Sequence, residues 1–239
     1  MQPTARLLPA AAILGGALAL SALFVAVGLG RVRPDVHAVT VKGVAEREVR
    51  ADLAIWPLNV SAADDDLGRA QARLEQSIGA IRAFLVRHRV DTTQLSLQAF
   101  VVSDAYANQY GGGGEVRTRY VIRQTVVVRS SDPQRVLAAS QRVGELVNAG
   151  VVLTSGGEYG TGGPTFLFTG LNALKPPMIA EATARAREAA EQFARDARQD
   201  LAGIRRASQG VFEILPRDQA PGISEGSQLL KTVRVVSTI

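Results

Sequence analysis

The segment PPMIAEATARAREAAEQFARDAR, residues 176–198, carries the clearest helical pattern of the chain. Its apolar residues recur at spacings of three and four, which predicts an amphipathic helix that begins at the two prolines. The apolar face is made of small side chains, so the helix backbone can lie close to a neighbouring layer. Phe193 is the single large apolar residue on that face. We expect four residues of this face to be buried: Ala182, Ala186, Ala189 and Phe193.

The opposite face of this helix alternates acids and bases. Glu181 and Arg185 stand four residues apart, and such a pair stabilises an isolated helix by about 0.2–0.5 kcal/mol. A helix on a membrane surface would instead carry a basic face. We therefore predict packing against a sheet, with subunit packing as the alternative, and we expect Arg185 and Glu188 to be exposed.

Two more helices are predicted upstream. Residues 64–90 place apolar side chains on one face and open with three aspartates, which suit an N-cap and a first turn better than a calcium loop. His88 near its end is interpreted as a helix-end cation, since cations suit a last turn. Residues 131–150 have Asp132 as a cap, Pro133 in the first turn and a glycine stop at Gly150.

Pairs of apolar, β-branched segments separate these helices and predict strands. They cover residues 36–43, 48–62, 95–105, 116–130, 205–215 and 229–239, with a strand, turn and strand over 151–163 and 164–171. Short connections favour antiparallel pairing. We predict an α+β fold with mainly antiparallel sheets covered by three amphipathic helices, plus an N-terminal transmembrane helix.

Two local irregularities are candidate contact sites. The apolar parity changes within 48–62, which predicts a bulge or an edge position at Trp56–Pro57. Trp56 is interpreted as a packed or edge aromatic, with a ligand platform as the alternative. Four glycines at 111–114 predict a mobile hairpin tip, with a contact loop beside Tyr106 and Tyr110 as the alternative.

The composition excludes several classes of site. The chain has no cysteine, which rules out disulfides and thiolate chemistry, and its two histidines, His37 and His88, exclude a histidine-rich metal cluster. From Asp35 onward 24 Lys and Arg face 22 Asp and Glu, a net charge of +2, and they are interleaved. Nucleic-acid binding is therefore not expected. We assign no catalytic, cofactor-binding or metal-ligating residue.

The N-terminus predicts the compartment. Residues 7–30 contain no charge, and roughly 20 such residues span a bilayer core, whereas a signal peptide has about 7–15. We expect an uncleaved signal anchor and short linker over 1–34, followed by one α+β domain over 35–239. A cleaved signal peptide is the alternative.

Four stretches of this sequence carry a family likeness. They are VTVKGVAEREVRADLAIWPLNVSA at 39–62, RYVIRQTVVVRSSDPQRVLAASQRVGELVNAGV at 119–151, TFLFTGLNALKPPMIAEATARAREAAEQFARDA at 165–197 and KTVRVVSTI at 231–239. In this order they resemble the SIMPL-domain family of bacterial envelope proteins, some of which are linked to oxidative-stress defence. Ala51 stands where the family usually has proline, while Asp52 and Ala54 match the motif.

The resemblance implies an exported α+β domain with a tendency to self-associate and with no agreed catalytic residues. We therefore expect a single-pass inner-membrane protein whose domain faces the periplasm, held through residues 7–30, or a periplasmic protein if the signal is cleaved. The leading function is a non-catalytic envelope protein that forms a homo-oligomer or binds a protein partner and supports stress tolerance. The alternatives are a binding module for a small or lipidic ligand and a hydrolase with dispersed catalytic residues.

Overall fold

The structure of the chain is a computed structural model, and it describes residues 15–26, 38–107, 118–154 and 163–239. The chain divides into two units, Met1–Thr40 and Val41–Ile239. In the first unit, residues 15–26 form helix α1. Within the four described ranges, none of the helices is long and apolar enough to cross a membrane. The remainder of the predicted anchor at 7–30 lies outside the described residues.

The second unit contains two antiparallel sheets, which confirms the predicted α+β class. The first sheet is formed by β1 (Lys42–Arg50), β9 (Leu230–Thr238), β7 (Ser208–Gln209) and β8 (Glu213–Pro216), with β9 between β1 and the two short strands. The second sheet has the order β3 (Leu95–Asp104), β4 (Tyr120–Ser130), β2 (Leu53–Asp64), and then β5 (Val152–Leu153) and β6 (Thr165–Leu167), which both pair with β2.

Helices cover these sheets. They are α2 (Leu67–Arg87), α3 (Pro133–Ser140), α4 (Gly144–Asn148) and α5 (Leu171–Ala197), and a 3-10 helix spans Glu225–Ser227. The predicted caps of two of them are confirmed: Asp66 accepts from the Arg69 N–H at 2.9 Å, and Asp132 accepts from the Arg135 N–H at 3.2 Å.

Helix α2 packs its large side chains on the second sheet. Leu74, Ile81 and Phe84 are buried, and Phe84 meets Trp56 of β2 edge to face, with ring centroids 6.4 Å apart. Each such buried side chain contributes about 1.5–3 kcal/mol of transfer free energy. This cluster is the main core of the molecule.

Helix α5 packs on the first sheet through close backbone contact and not through large side chains. A Cβ added at Gly43 of β1 would lie 2.0 Å from the Ala182 oxygen and 2.4 Å from the Ala186 nitrogen of α5. Helix and strand backbones are thus in contact, which only glycine on the strand and small residues on the helix permit. The predicted role of this helix in covering a sheet is confirmed.

The start of α5 was predicted wrongly. The helix begins at Leu171, with Gly170 as N-cap, and not at Pro176. Pro176 and Pro177 lie in the second turn, where each removes a backbone donor. The earlier start is favoured because Leu171 and Leu174 pack into the apolar cluster of the first sheet.

The burial predicted for α5 is mostly correct. Ala182 and Ala186 are buried, Ala189 is half-buried, and Arg185 and Glu188 are exposed. Phe193 is 59% exposed, so its predicted burial is wrong. Val41 at the start of the sheet packs with Ala186 and Ala190, and Phe193 lies almost a turn beyond them.

The strand boundaries near the N-terminus also differ from the prediction. Residues 44–47, which separate the predicted strands 36–43 and 48–62, lie inside β1, and the predicted strand 48–62 is divided at Ala51–Asp52 between the two sheets. Within β2, the residues of the main core keep one parity from Ala54 to Ala62. The predicted bulge at Trp56–Pro57 is wrong, because β2 pairs with β4 without a register shift from Ala54 to Asp64. On the other side of β2, the pairing with β6 stops at Ile55 and that with β5 begins at Val60, so among the described residues Trp56–Pro57 lie in a gap of this ladder, in agreement with the alternative, an edge position.

The predicted helix 131–150 is two helices, so four helices accompany the sheets instead of three. Ser140 Oγ donates to the Leu137 carbonyl at 2.8 Å, which competes with the helical hydrogen bond. The chain then continues through i→i−3 bonds, such as Arg142 N–H to Ala139 O at 2.9 Å. The expected strand 205–215 is likewise two short strands, β7 and β8.

Candidate functional site at the edge strand β3

Strand β3 stands at the edge of the second sheet and exposes large apolar side chains. Phe100 is 52% exposed and Val101 48%. Two further exposed residues belong to the same strand, Leu97 and Val102. Contiguous exposed apolar residues on a strand are a usual mark of a protein interaction surface. We call these four residues the β3 patch.

A β-bulge shapes the β3 patch. The register between β3 and β4 shifts between Gln98 and Val101, and Ala99 has φ of 50°. A bulge increases the local twist and redirects the side chains beside it. Phe100 lies within this bulge and Val101 resumes the pairing with β4, and both side chains are exposed.

The loop end of the β3–β4 hairpin, where β3 finishes and β4 begins, is held by an aromatic and ionic cluster. Arg119 pairs with Asp104 at 3.2 Å and lies over the rings of Tyr106 and Tyr120, 5.5 and 4.7 Å from their centroids. The hydrogen bond from Arg119 holds the pKa of Asp104 below its usual range. The Arg119 N–H also donates to Asp65 at 3.0 Å. The predicted glycine-rich tip lies outside the described residues, as does Tyr110, whereas Tyr106 belongs to this cluster.

The acidic triplet predicted at the start of α2 is divided among three structural roles. Asp66 caps the helix, Asp65 holds Arg119, and Asp64 is a buried carboxylate. Arg69 and Arg73 each contact Asp64 at 2.9 Å. The Asp66 N–H, followed by Arg69 and Arg73, keeps the pKa of Asp64 below its usual value.

His88 is placed where α2 meets α4. Its Nε2 lies 3.1 Å from Glu145 Oε2, and Arg87 contacts the same oxygen at 3.2 Å. The hydrogen bond with His88 lowers the pKa of Glu145. The Phe84 ring lies 4.5 Å from the imidazole, centroid to centroid. This arrangement ties α2 to α4. His37 lies outside the described residues.

Two polar contacts fix the junction of the two sheets. The Asp52 carboxylate accepts from the Thr169 N–H at 2.9 Å and from the Thr169 hydroxyl at 2.9 Å, just before α5 begins. Lys231 is fully buried and donates to the carbonyl oxygen of Glu225 at 2.6 Å, and it also pairs with the carboxylate of that residue. These contacts join β9 and the strand junction to the neighbouring loops.

The alternative sites gain no support in the described parts of the chain. Trp56 is 1% exposed within the core, so a ligand platform at this residue is wrong. No group of three potential metal ligands occurs among the described residues. A depression of about 430 Å³ at the end of α5 is lined by Arg195, Arg198 and Leu201, among others, and is open to solvent.

Sequence reasoning missed the β3 patch and the buried Lys231. Both segments were predicted as strands, and the side chains that a strand exposes depend on which strands become its neighbours. The bulge in β3 has no glycine or proline to mark it. The available signal for a buried charge was that Lys231 shares the strand parity of Val233 and Val235.

Comparison with known proteins identifies the family. A family model described as SIMPL, protein of unknown function (DUF541), matches residues 39–229, which is most of the chain. Curated proteins give no significant match. The chain therefore belongs to the SIMPL family.

Proposed function

We propose that this chain is a non-catalytic, membrane-anchored envelope protein that assembles with further copies of itself through the β3 patch and supports stress tolerance. Three kinds of observation support the proposal: the uncharged run at 7–30, membership of the SIMPL family and the exposed apolar edge strand. The last of these carries the assembly part.

The composition of β3 favours a second copy as the occupant of the patch. From Leu95 to Ser103 the strand has no charged residue. Two β3 strands brought together by a two-fold axis would therefore meet without like-charge repulsion, and apolar side chains from both would be removed from water. The ion pair between Asp104 and Arg119 fixes the loop end of the hairpin that contains this strand.

The oligomeric state of the full-length chain tests this proposal. We expect native mass spectrometry from detergent micelles to show an oligomer for the wild type and a monomer for Val101→Lys, because the lysine would be desolvated at the interface. Val86→Lys is the matched control, since Val86 is another exposed valine, 63% against 48% for Val101, and lies on α2. A wild-type chain that is monomeric at all concentrations, or a Val101→Lys variant that assembles normally, would contradict the proposal.

A further inference from the structure

The chain enters the first sheet from the N-terminal segment at the same end of the sheet at which α5 finishes. Val41, which directly precedes β1, exchanges two hydrogen bonds with Ile239, at 3.0 and 3.1 Å. Along β1, Val41 packs with Ala190 and Ala45 with Met178 and Ala182. Helix α5 therefore runs antiparallel to β1, and its last turns extend past Val41.

The segment that follows α5 stays at the same end. Strand β7 pairs Ser208 with Thr238, the residue that also pairs with Lys42 at the start of β1. Residues 193–208 thus begin and finish beside the point where the chain enters the sheet. We call residues 193–206 the α5 tail.

The α5 tail exposes apolar and basic side chains together. Phe193 is 59% exposed, Leu201 44% and Ile204 50%. The four arginines of the tail are also exposed, and they are Arg195, Arg198, Arg205 and Arg206. Among the described residues, no ion pair engages the last three of them, and the tail contains only two acids, Asp196 and Asp200. Exposed apolar residues flanked by arginines match an interface between hydrocarbon and anionic headgroups.

The length of the connecting chain limits where the α5 tail can lie. Ten residues, 31–40, separate the end of the apolar run from Val41. Fully extended, ten residues span at most about 35 Å. If residues 7–30 span the bilayer, the end of the sheet at Val41 is held within this distance of the lipid surface.

We propose that the α5 tail is a lipid-docking surface, through which this end of the domain lies on the anionic face of the bilayer that holds the anchor. The inference rests on the membrane anchoring in the proposed function. It identifies a contact of the domain itself, with Phe193, Leu201 and Ile204 entering the headgroup region and the arginines pairing with lipid phosphates.

Because the chain has no cysteine, a single introduced cysteine reports on one position. Full-length Ile204→Cys, labelled with an environment-sensitive fluorophore, is reconstituted in vesicles of phosphatidylcholine with about 30% phosphatidylglycerol, a fraction sufficient for a negative surface potential. We expect a blue-shifted emission and quenching by spin-labelled lipid. Ala173→Cys is the control, because Ala173 is exposed and lies 20 residues before Phe193, about 30 Å away along α5.

The outcomes separate this inference from the anchoring on which it rests. Flotation with the vesicles after alkaline extraction tests the anchor by itself. If the protein floats but the probe at position 204 is as solvated as the probe at 173, the docking inference is wrong while the anchor stands. A blue shift that depends on protein density and is insensitive to lipid quencher would show contact with another copy and would also overturn it.

Substitution of the arginines provides a second test of the proposal. In the Ile204→Cys background, Arg198→Gln, Arg205→Gln and Arg206→Gln should each weaken docking by up to about fivefold, since one basic residue near an anionic surface contributes a factor of this order. On vesicles of phosphatidylcholine alone, the protein with its arginines intact should dock as weakly as a variant that carries all three substitutions docks on the anionic vesicles. Equal quenching in both lipids and in all variants would contradict the electrostatic part of the proposal.

Discussion

The two helix-covered sheets of this molecule are stabilised in opposite ways. On the second sheet, α2 fills space with side chains such as Leu74 and Phe84. On the first sheet, the α5 backbone contacts β1 directly because no side chain separates them. Gly43 lies against the backbone at Ala182 and Ala186. The first arrangement is sensitive to the removal of volume and the second to its addition, although both cover an antiparallel sheet with one helix.

The largest effect should come from removing volume under α2. Phe84→Ala should lower the free energy of unfolding by about 3–5 kcal/mol, because it leaves a cavity beside Trp56. The corresponding Phe193→Ala in α5 should change it by less than about 0.5 kcal/mol, since Phe193 is largely exposed. Urea denaturation of both variants measures the difference. Equal effects would show that the end of α5 is packed.

The next largest difference in stability between the two layers should come from adding one methyl group to each. Gly43→Ala should destabilise the protein by about 3 kcal/mol, because the new Cβ overlaps backbone atoms of α5 that cannot move independently. Gly79→Ala in α2 meets open space and should stabilise by about 0.5–1 kcal/mol through helix propensity. If both substitutions stabilise in urea titrations, the backbone contact between α5 and β1 is not present.

The junction between the sheets should show a smaller effect. Asp52→Asn weakens two hydrogen bonds to Thr169 that connect distant segments, and we expect a loss of about 1–2 kcal/mol in the free energy of unfolding. Asp91→Asn is the matched control, because Asp91 makes the same two contacts with Thr93 within one exposed turn. Its loss should be the smaller of the two by thermal denaturation. The reverse order would mean that the junction is fixed by packing.

Acid should weaken the contact between α2 and α4, in which Glu145 takes part. Since the pKa of Glu145 is lowered in the fold, its contribution to stability is complete above its ordinary value of 4.5 and is lost as the pH falls through the folded value. Glu145→Gln should therefore reduce the loss of melting temperature between pH 6 and pH 3. Glu188→Gln, which removes a carboxylate on the exposed face of α5 outside this contact, is the control, and an equal reduction by both variants would refute the assignment.

The sequence predicted those elements whose signals are local. The caps at Asp66 and Asp132 and the long strand β9 follow from neighbouring residues and are confirmed. Features that depend on distant partners were missed. The start of α5 at Leu171 depends on the cluster beneath it, and the division of residues 48–62 depends on two sheets that meet at Asp52.

The candidate site was less accessible to sequence reasoning than the fold. The apolar residues of β3 have the pattern of a half-buried strand, and only the sheet order places this strand at an edge. The exposure of Phe193 has a similar origin, since periodicity places it on the packed face of α5 and cannot show where β1 begins beneath the helix. In both cases the local pattern was interpreted correctly, but the sequence did not show which elements would lie beside the segment.

The pairing of β1 with β9 also constrains how the protein folds. Lys42 pairs with Thr238, so the pairing of β1 with β9 cannot be completed until residue 238 is available. Contacts this far apart in sequence form slowly, because the intervening loop must be ordered first. The second sheet, whose main strands lie between residues 53 and 130, can form earlier. A chain that emerges from its N-terminus would therefore complete the first sheet only after residue 238 has emerged, long after the main strands of the second sheet are available.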